Sequence, residues 1–467
     1  MYAALTPIYS TTTCTLAVSL SIPILPLITK TMPHSSSSSS SSPVSTISNL
    51  RIRALILWSS KNYAIAAFVF LLLFSLTLFS HLDSRSHSHS RYPSHPRSTL
   101  VPLTLLRNAN RTRALCLDGS APGYHFQSGF GSGSRNWLLH IEGGGWCNSI
   151  ASCTQRKFTH LGSSNYMEKI IPFSGILSSD PSQNPDFFNW NKVKIRYCDG
   201  ASFAGHPESE QSGSELLFRG QVIWEAIMDE ILSIGLSQAK QALLSGCSAG
   251  GLAALIHCDN FQQLLPKEAT VKCLSDAGFF LDEKDISGNS TMRSFYHDVT
   301  QLQGLAKSLH KDCIDKMEPY KCLFPQEIVK NIKTPLFLVH PAYDFWQIRN
   351  ILVPQGSDPL GHWQSCRRNI RNCNANMIDK LDGYRGSLLK TLNEFQQRKE
   401  IGMFINSCFI HCQTEMEVTW HSSNSPKIND KTIAESVGDW YFDREAVKRI
   451  DCASFPCNPT CHNMDFT

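Results

Sequence analysis

The sequence has little net charge, almost no cysteine in its first quarter, no internal repeat and only one long uninterrupted apolar run. Its 43 Lys and Arg nearly balance 39 Asp and Glu across 467 residues. The small positive excess sits in residues 1–100, which hold seven basic groups and one acidic, leaving 36 basic against 38 acidic in residues 101–467. A slightly negative body offers no basic face to a phosphate backbone, so nucleic acid is not an expected partner. Without a repeat, stacked-repeat architectures are excluded as well.

Of the 17 cysteines only Cys14 precedes residue 116. The remaining sixteen are an even number, compatible with up to eight bridges and an oxidising compartment. The competing reading gives them a metal, held by Cys408, His411 and Cys412 or by Cys452, Cys457, Cys461 and His462. The apolar run Tyr63–Ser80 argues against it. This stretch is uncharged and about long enough to cross a bilayer. Arg51, Arg53 and Lys61 precede it, which keeps that side cytoplasmic and sends the body across the membrane. It reads as a signal anchor or as the hydrophobic core of a long signal peptide. No small-residue cleavage site follows it, which favours the anchor and makes the membrane a partner if the segment is uncleaved. Asn110-Arg-Thr and Asn289-Ser-Thr are glycosylation sequons on the translocated side. No cofactor or metal is expected.

Residues 1–62 have no readable fold and include the serine run Ser35–Ser42. Residues 81–100 read as a solvated stalk, and one body fills residues 101–467. In it, strand-like runs cover Asn136–Ile141, Lys192–Tyr197, Gln241–Ser245, Val271–Ser275, Pro335–Val339 and Gly402–Ile410. Their apolar stretches lack clean alternation, as in a sheet buried on both faces. Leu216, Leu217, Val222, Ile223, Ala226, Ile227, Ile231 and Leu232 recur at helical spacing. Strands alternating with helices predict an α/β fold with a mostly parallel sheet, and residues 281–333 and 354–400 fit as cap-like insertions.

The chemistry begins at Gln241–Ala254, QALLSGCSAGGLAA, where a short strand runs through Gly-x-Ser-x-Gly into a helix-forming stretch. That is the setting of a nucleophile elbow, with Ser248 in a strained turn and Gly246 and Gly250 allowing close passage of the chain. Cys247 beside it reads as a disulfide half or a buried thiol. Upstream, Leu138–Glu142 runs into Gly143-Gly144-Gly145-Trp146. Acyl transfer places negative charge on the carbonyl oxygen, and the amides of Gly144, Gly145 and Ala249 are the expected oxyanion donors. Glu142 stands where lipases often have histidine. The acid and the base should follow in that order, each just past a strand end. Asp344 and His411 fit; Asp276, His340, His421 and His462 are the rivals, and Asp276 is better suited to capping a turn. His411 would take the Ser248 proton and Asp344 would fix the imidazole. Activity should fall below about pH 6.5, where an ordinary histidine becomes charged. Tyr197–Phe203 and Ser275–Phe280 follow strands and are expected to wall the pocket.

The segments LCLDGSAPGYHF, HIEGGGWC, RYCDGASFAG, GCSAGG, SDAGFFLD, HPAYDFWQI and NSCFIHCQTE resemble those of plant pectin acetylesterases, relatives of the Notum carboxylesterases in the α/β-hydrolase superfamily. The resemblance covers about residues 101–467. It implies release of acetate from acetylated galacturonan (pectin) of the cell wall, by a secreted enzyme or one held in the secretory pathway. It also implies that Ser248, Asp344 and His411 match the family triad, and that the glycine loop with Ala249 matches its oxyanion hole. About sixty residues precede the apolar run here, whereas family members usually begin with a short signal peptide; initiation after Met1 would explain the difference. The alternatives are an esterase for protein or lipid acyl groups or acetylated xylan, and a non-catalytic polysaccharide-binding protein.

Overall fold

A computed structural model describes residues 99–209 and 215–465, all within one unit, Ser94–Thr467. The segments 1–62 and 63–80 and nearly all of the stalk lie outside the described residues. Among the described residues no helix is long and apolar enough to cross a membrane.

Ten strands form one sheet in the order β10-β9-β8-β7-β6-β3-β5-β2-β1-β4. In chain order they are β1 Leu100–Leu105, β2 Gly123–Gln127, β3 Asn136–Ile141, β4 Ile170–Pro172 and β5 Asn191–Ile195. After these come β6 Gln241–Cys247, β7 Thr270–Asp276, β8 Leu336–Pro341, β9 Ile401–Asn406 and β10 Lys448–Ile450. From β5 through β3, β6, β7, β8 and β9 to β10 every pairing is parallel, whereas β2, β1 and β4 complete the other edge antiparallel. β8 and β9 are buried at every position, and β3, β6 and β7 at all but their first. Helices cover both faces, which explains why these strands read as continuous apolar runs. β1 lies near the edge and mixes exposed and buried positions.

Three boundaries differ from the sequence expectation. The strand expected over residues 402–410 stops at Asn406; residues 407–410 stay buried but leave the sheet to carry the next loop. The strand expected to reach Tyr197 ends at Ile195. The helix begins at Gly220, not Leu216. Leu216 joins a separate small apolar cluster with Leu117, Cys147, Cys153 and Phe218. Local periodicity could not separate that packing from a helix face. Residues 281–333 hold several helices, the longest Thr291–Gln303, whereas residues 354–400 combine a stretch of turns with the long helix Ala375–Asn393.

All sixteen cysteines of the body are paired in eight disulfides. The cysteines of both alternative metal sets are consumed in Cys247–Cys412, Cys408–Cys461 and Cys452–Cys457, so they carry no thiolate to ligate an ion.

Candidate functional site

Ser248 stands between β6 and the helix Ala249–Gln263 with φ 57° and ψ −125°. A non-glycine residue takes that conformation only under strain, and here the flanking glycines make room for it. A Cβ on Gly246 would lie 2.2 Å from the Gly250 carbonyl oxygen, and one on Gly250 would lie 2.2 Å from that of Ile141. The Ser248 amide donates to the Asp276 carbonyl at 2.8 Å, tying the elbow to β7.

His411 follows β9 by five residues, and Asp344 follows β8 by three. The structure brings them to the serine: His411 Nε2 lies 2.8 Å from Ser248 Oγ, and His411 Nδ1 lies 2.8 Å from Asp344 Oδ2 and 3.0 Å from Oδ1. Asp344 also accepts from the amides of Trp346 at 2.8 Å and Gln347 at 3.1 Å, which fixes the carboxylate before the imidazole reaches it. Only Ser248 and the outer edge of His411 reach solvent, with 4% and 10% exposure, while Asp344 is buried at 1%.

The rivals are occupied elsewhere. Asp276 accepts from the amides of Gln413 and Thr414 and from the Thr414 hydroxyl, at 2.6 to 2.8 Å. It thus pins the loop just after His411, a capping task. His340 lies 4.0 Å from Asp344 but within hydrogen-bond distance of Gln347 Nε2 at 2.8 Å. Burial drives its pKa down to about 4 and keeps it neutral. His421 bonds Thr432, and His462 bonds the Asn424 carbonyl.

Gly144 and Gly145 have φ of 144° and 65°, and no backbone acceptor among the described residues claims their amides. Ala249 is the first residue of its helix, so its amide has no intrahelical acceptor. The loop is held by bonds that sequence reading missed. Tyr197 OH donates to the Gly145 carbonyl at 2.8 Å and accepts from the Ser202 amide at 2.9 Å. Ser202 Oγ donates to the Ala249 carbonyl at 2.8 Å and accepts from Trp146 Nε1 at 2.7 Å. The Arg156 guanidinium holds the Gly144 carbonyl at 2.8 Å. Ser202 and Tyr197 therefore join the glycine loop to the start of the elbow helix. Both lie in the stretch Tyr197–Phe203 expected to wall the pocket; what the sequence could not give was which partners they reach, 47 to 56 residues away.

Below the loop, Glu142 accepts from Arg196 Nε at 2.9 Å and from the Tyr197 amide at 3.0 Å. Glu415 accepts from Lys194 Nζ. Burial opposes its charge, but Lys194 and His140 outweigh burial and hold the carboxyl well below the usual range. An aromatic wall then runs from the glycine loop to the imidazole. Trp146 meets Phe280 edge to face at 4.9 Å and Trp346 at 5.8 Å, and Trp346 lies over His411 at 6.0 Å. Asn110, in the short helix Ala109–Thr112, and Asn289, in the turn before Thr291–Gln303, are both exposed.

The pectinacetylesterase family model matches residues 94–462. The chain belongs to the pectinacetylesterase family. Pectin acetylesterase 5 of Arabidopsis thaliana is 59% identical over 417 residues, covering 88% of this chain and 97% of that protein. More distantly, the palmitoleoyl-protein carboxylesterase NOTUM of Mus musculus is 31% identical over 307 residues, 62% of this chain and 60% of that one. The solved structure of the Wnt deacylase Notum from Drosophila shares the fold, with a TM-score of 0.66 at 24% identity over 78% of this chain and all of that one. Membership agrees with the resemblance read from the motifs, and the α/β-hydrolase-like architecture agrees with the fold expected.

Proposed function

We propose that this chain is a serine esterase that removes acetyl groups from galacturonan of the cell wall through an acetyl-enzyme on Ser248. One observation carries the reading: the Ser248–His411–Asp344 hydrogen-bond chain at a strained elbow, facing a glycine loop with unclaimed amides. His411 Nε2 takes the Ser248 Oγ proton as the oxygen attacks the acetyl carbonyl. The amides of Gly144, Gly145 and Ala249 receive the oxyanion. His411 returns the proton to the departing sugar hydroxyl, and a water, deprotonated in the same way, releases acetate. Asp344 keeps the Nδ1 proton in place throughout. Ser202 and Tyr197 act as positioning residues for the donors.

The relatives named for pectin support the substrate class, and the interlocked Trp146, Phe280 and Trp346 rings favour a small acyl group over a long one. Eight disulfides support an oxidising location, secreted to the wall or anchored through residues 63–80, and Asn110 and Asn289 are accessible for glycosylation. The test measures acetate release from acetylated galacturonan, acetylated xylan and p-nitrophenyl acetate by the wild type and Ser248→Ala. The substitution should lower kcat by about a hundred-thousandfold. Equal activity in the mutant would refute the mechanism; wild-type activity on xylan alone would refute the substrate.

A further inference from the structure

Galacturonan is a polyanion, yet residues 101–467 carry 36 basic and 38 acidic groups and exert no general attraction on it. Residues 345–374 break that balance, with Arg349, Arg367, Arg368 and Arg371 against Asp358 alone. They directly follow Asp344, and the structure draws their charges together. Arg349 Nε donates to the Arg367 carbonyl at 2.9 Å, and Arg367 Nη2 donates to the Arg349 carbonyl at 3.1 Å. Cys366–Cys373 closes the loop that carries Arg367, Arg368 and Arg371.

Arg349 feels first burial and then the charges of Arg367 and Arg368, all of which lower its pKa. Like charges gathered this way repel until an anion joins them. Arg367 Nε is buried with no hydrogen-bond partner among the described residues, and Arg368 is exposed. Asp358 accepts from the amides of His362 and Trp363, and its charge acts on Arg367 against the effect of burial.

The cluster lies beside the site. The Arg349 guanidinium sits 5.2 Å from the centre of the Phe345 ring, and that ring sits 5.7 Å from the His411 imidazole. One aromatic ring therefore separates a cation from the proposed base.

We propose that Arg349, Arg367 and Arg368 form a carboxylate subsite, which holds a uronate residue next to the acetylated sugar and so presents its ester to Ser248. Planar guanidinium groups suit a carboxylate because they donate two parallel hydrogen bonds. The inference rests on the galacturonan reading but is separable from it.

Calorimetry with an unacetylated oligogalacturonate reads the subsite without turnover. Wild type should bind it, and raising the salt to about 1 M, where charges are screened within about 3 Å, should abolish binding. Arg368→Glu should weaken binding about tenfold, equivalent to one lost ion pair at an accessible site, whereas Arg368→Lys should retain most of it. The galacturonan-to-xylan ratio of kcat/KM should fall about tenfold in Arg368→Glu, mainly through KM. A thermal midpoint equal to the wild type shows that Arg368→Glu is folded; if it is not, the double variant Arg367→Gln/Arg368→Gln replaces it. Unchanged binding and an unchanged ratio in a folded variant overturn the subsite and leave the esterase reading standing. Salt-sensitive binding lost in the variant, with no acetate released from galacturonan by the wild type, overturns the esterase reading and leaves the subsite.

Discussion

The elbow that carries Ser248 and the loop that carries His411 meet at one hydrogen bond but are held in opposite ways. The elbow is built from consecutive residues: β6 leads in, Gly246 and Gly250 clear the crossing, and the helix Ala249–Gln263 leads out. The loop after β9 has no regular structure of its own to position it. Asp276 holds the amides of Gln413 and Thr414, and Lys194 holds Glu415. Gly175 lets Ile176 approach and bond the Thr414 carbonyl at 2.8 Å. Cys412 is bridged to Cys247, so the residue after the proposed base is tied to the residue before the proposed nucleophile. The elbow should therefore fail through sterics at a single position, and the loop through loss of distant partners.

The largest effect is expected at the elbow. Gly250→Ala places a Cβ 2.2 Å from one carbonyl oxygen and 2.5 Å from another, so folding should weaken by more than about 4 kcal/mol; a soluble variant with a wild-type melting curve would show that the crossing has slack. Next is acid, which probes both regions. Burial lowers the pKa of His257, on the elbow helix, to about 3 and that of His340, on β8 beside the strand that leads into the loop, to about 4, from 6.5. Both stay neutral when folded while the unfolded chain takes up protons. Their stabilisation is full above pH 6.5 and is lost as pH falls towards those values. Between pH 6.5 and 5 each should forfeit on the order of 2 kcal/mol, and His257→Phe should flatten the melting temperature against pH.

On the loop, Asp276→Asn removes a charged acceptor from three donors. Stability should fall by about 3 kcal/mol and kcat by about a hundredfold, with KM little changed. An unaltered kcat would mean that the remaining ties suffice. Replacing Cys247 and Cys412 together by Ser should cost about 2 kcal/mol and lower kcat less than Asp276→Asn does, as judged by denaturant unfolding beside steady-state kinetics. Ser202→Ala touches only the link between the glycine loop and the elbow helix. It should reduce kcat about tenfold and stability by about 1 kcal/mol. Weakened binding of a trifluoromethyl ketone, in proportion to kcat, would place the loss at the oxyanion.

The same contrast explains what could be read in advance. Ser248, Gly144, Gly145 and Ala249 sit in short motifs whose neighbours impose their geometry, and Asp344 and His411 each follow a strand. Order along the chain was the ground for proposing them over Asp276 and His340, and the structure brings them into one hydrogen-bond chain with Ser248. Tyr197 and Ser202 stood in a stretch marked as pocket wall, but their bonds to Gly145 and Ala249 span 52 and 47 residues, and no local pattern encodes a partner at that distance. The strand overrun past Asn406 has the same origin, because residues 407–410 are buried by packing outside the sheet.

By itself the sequence determined the strand-and-helix alternation, the elbow with its glycines, the order of the proposed acid and base, and an even set of cysteines. Each depends on periodicity or on the steric demands of adjacent residues, which are properties of a short stretch of chain. Only the tertiary structure decided which cysteines pair, that Asp276 serves the His411 loop instead of the imidazole, and that arginines from two segments converge beside the site. Those outcomes depend on which distant groups the sheet order brings within hydrogen-bonding range, and that distance is set only when the whole body packs.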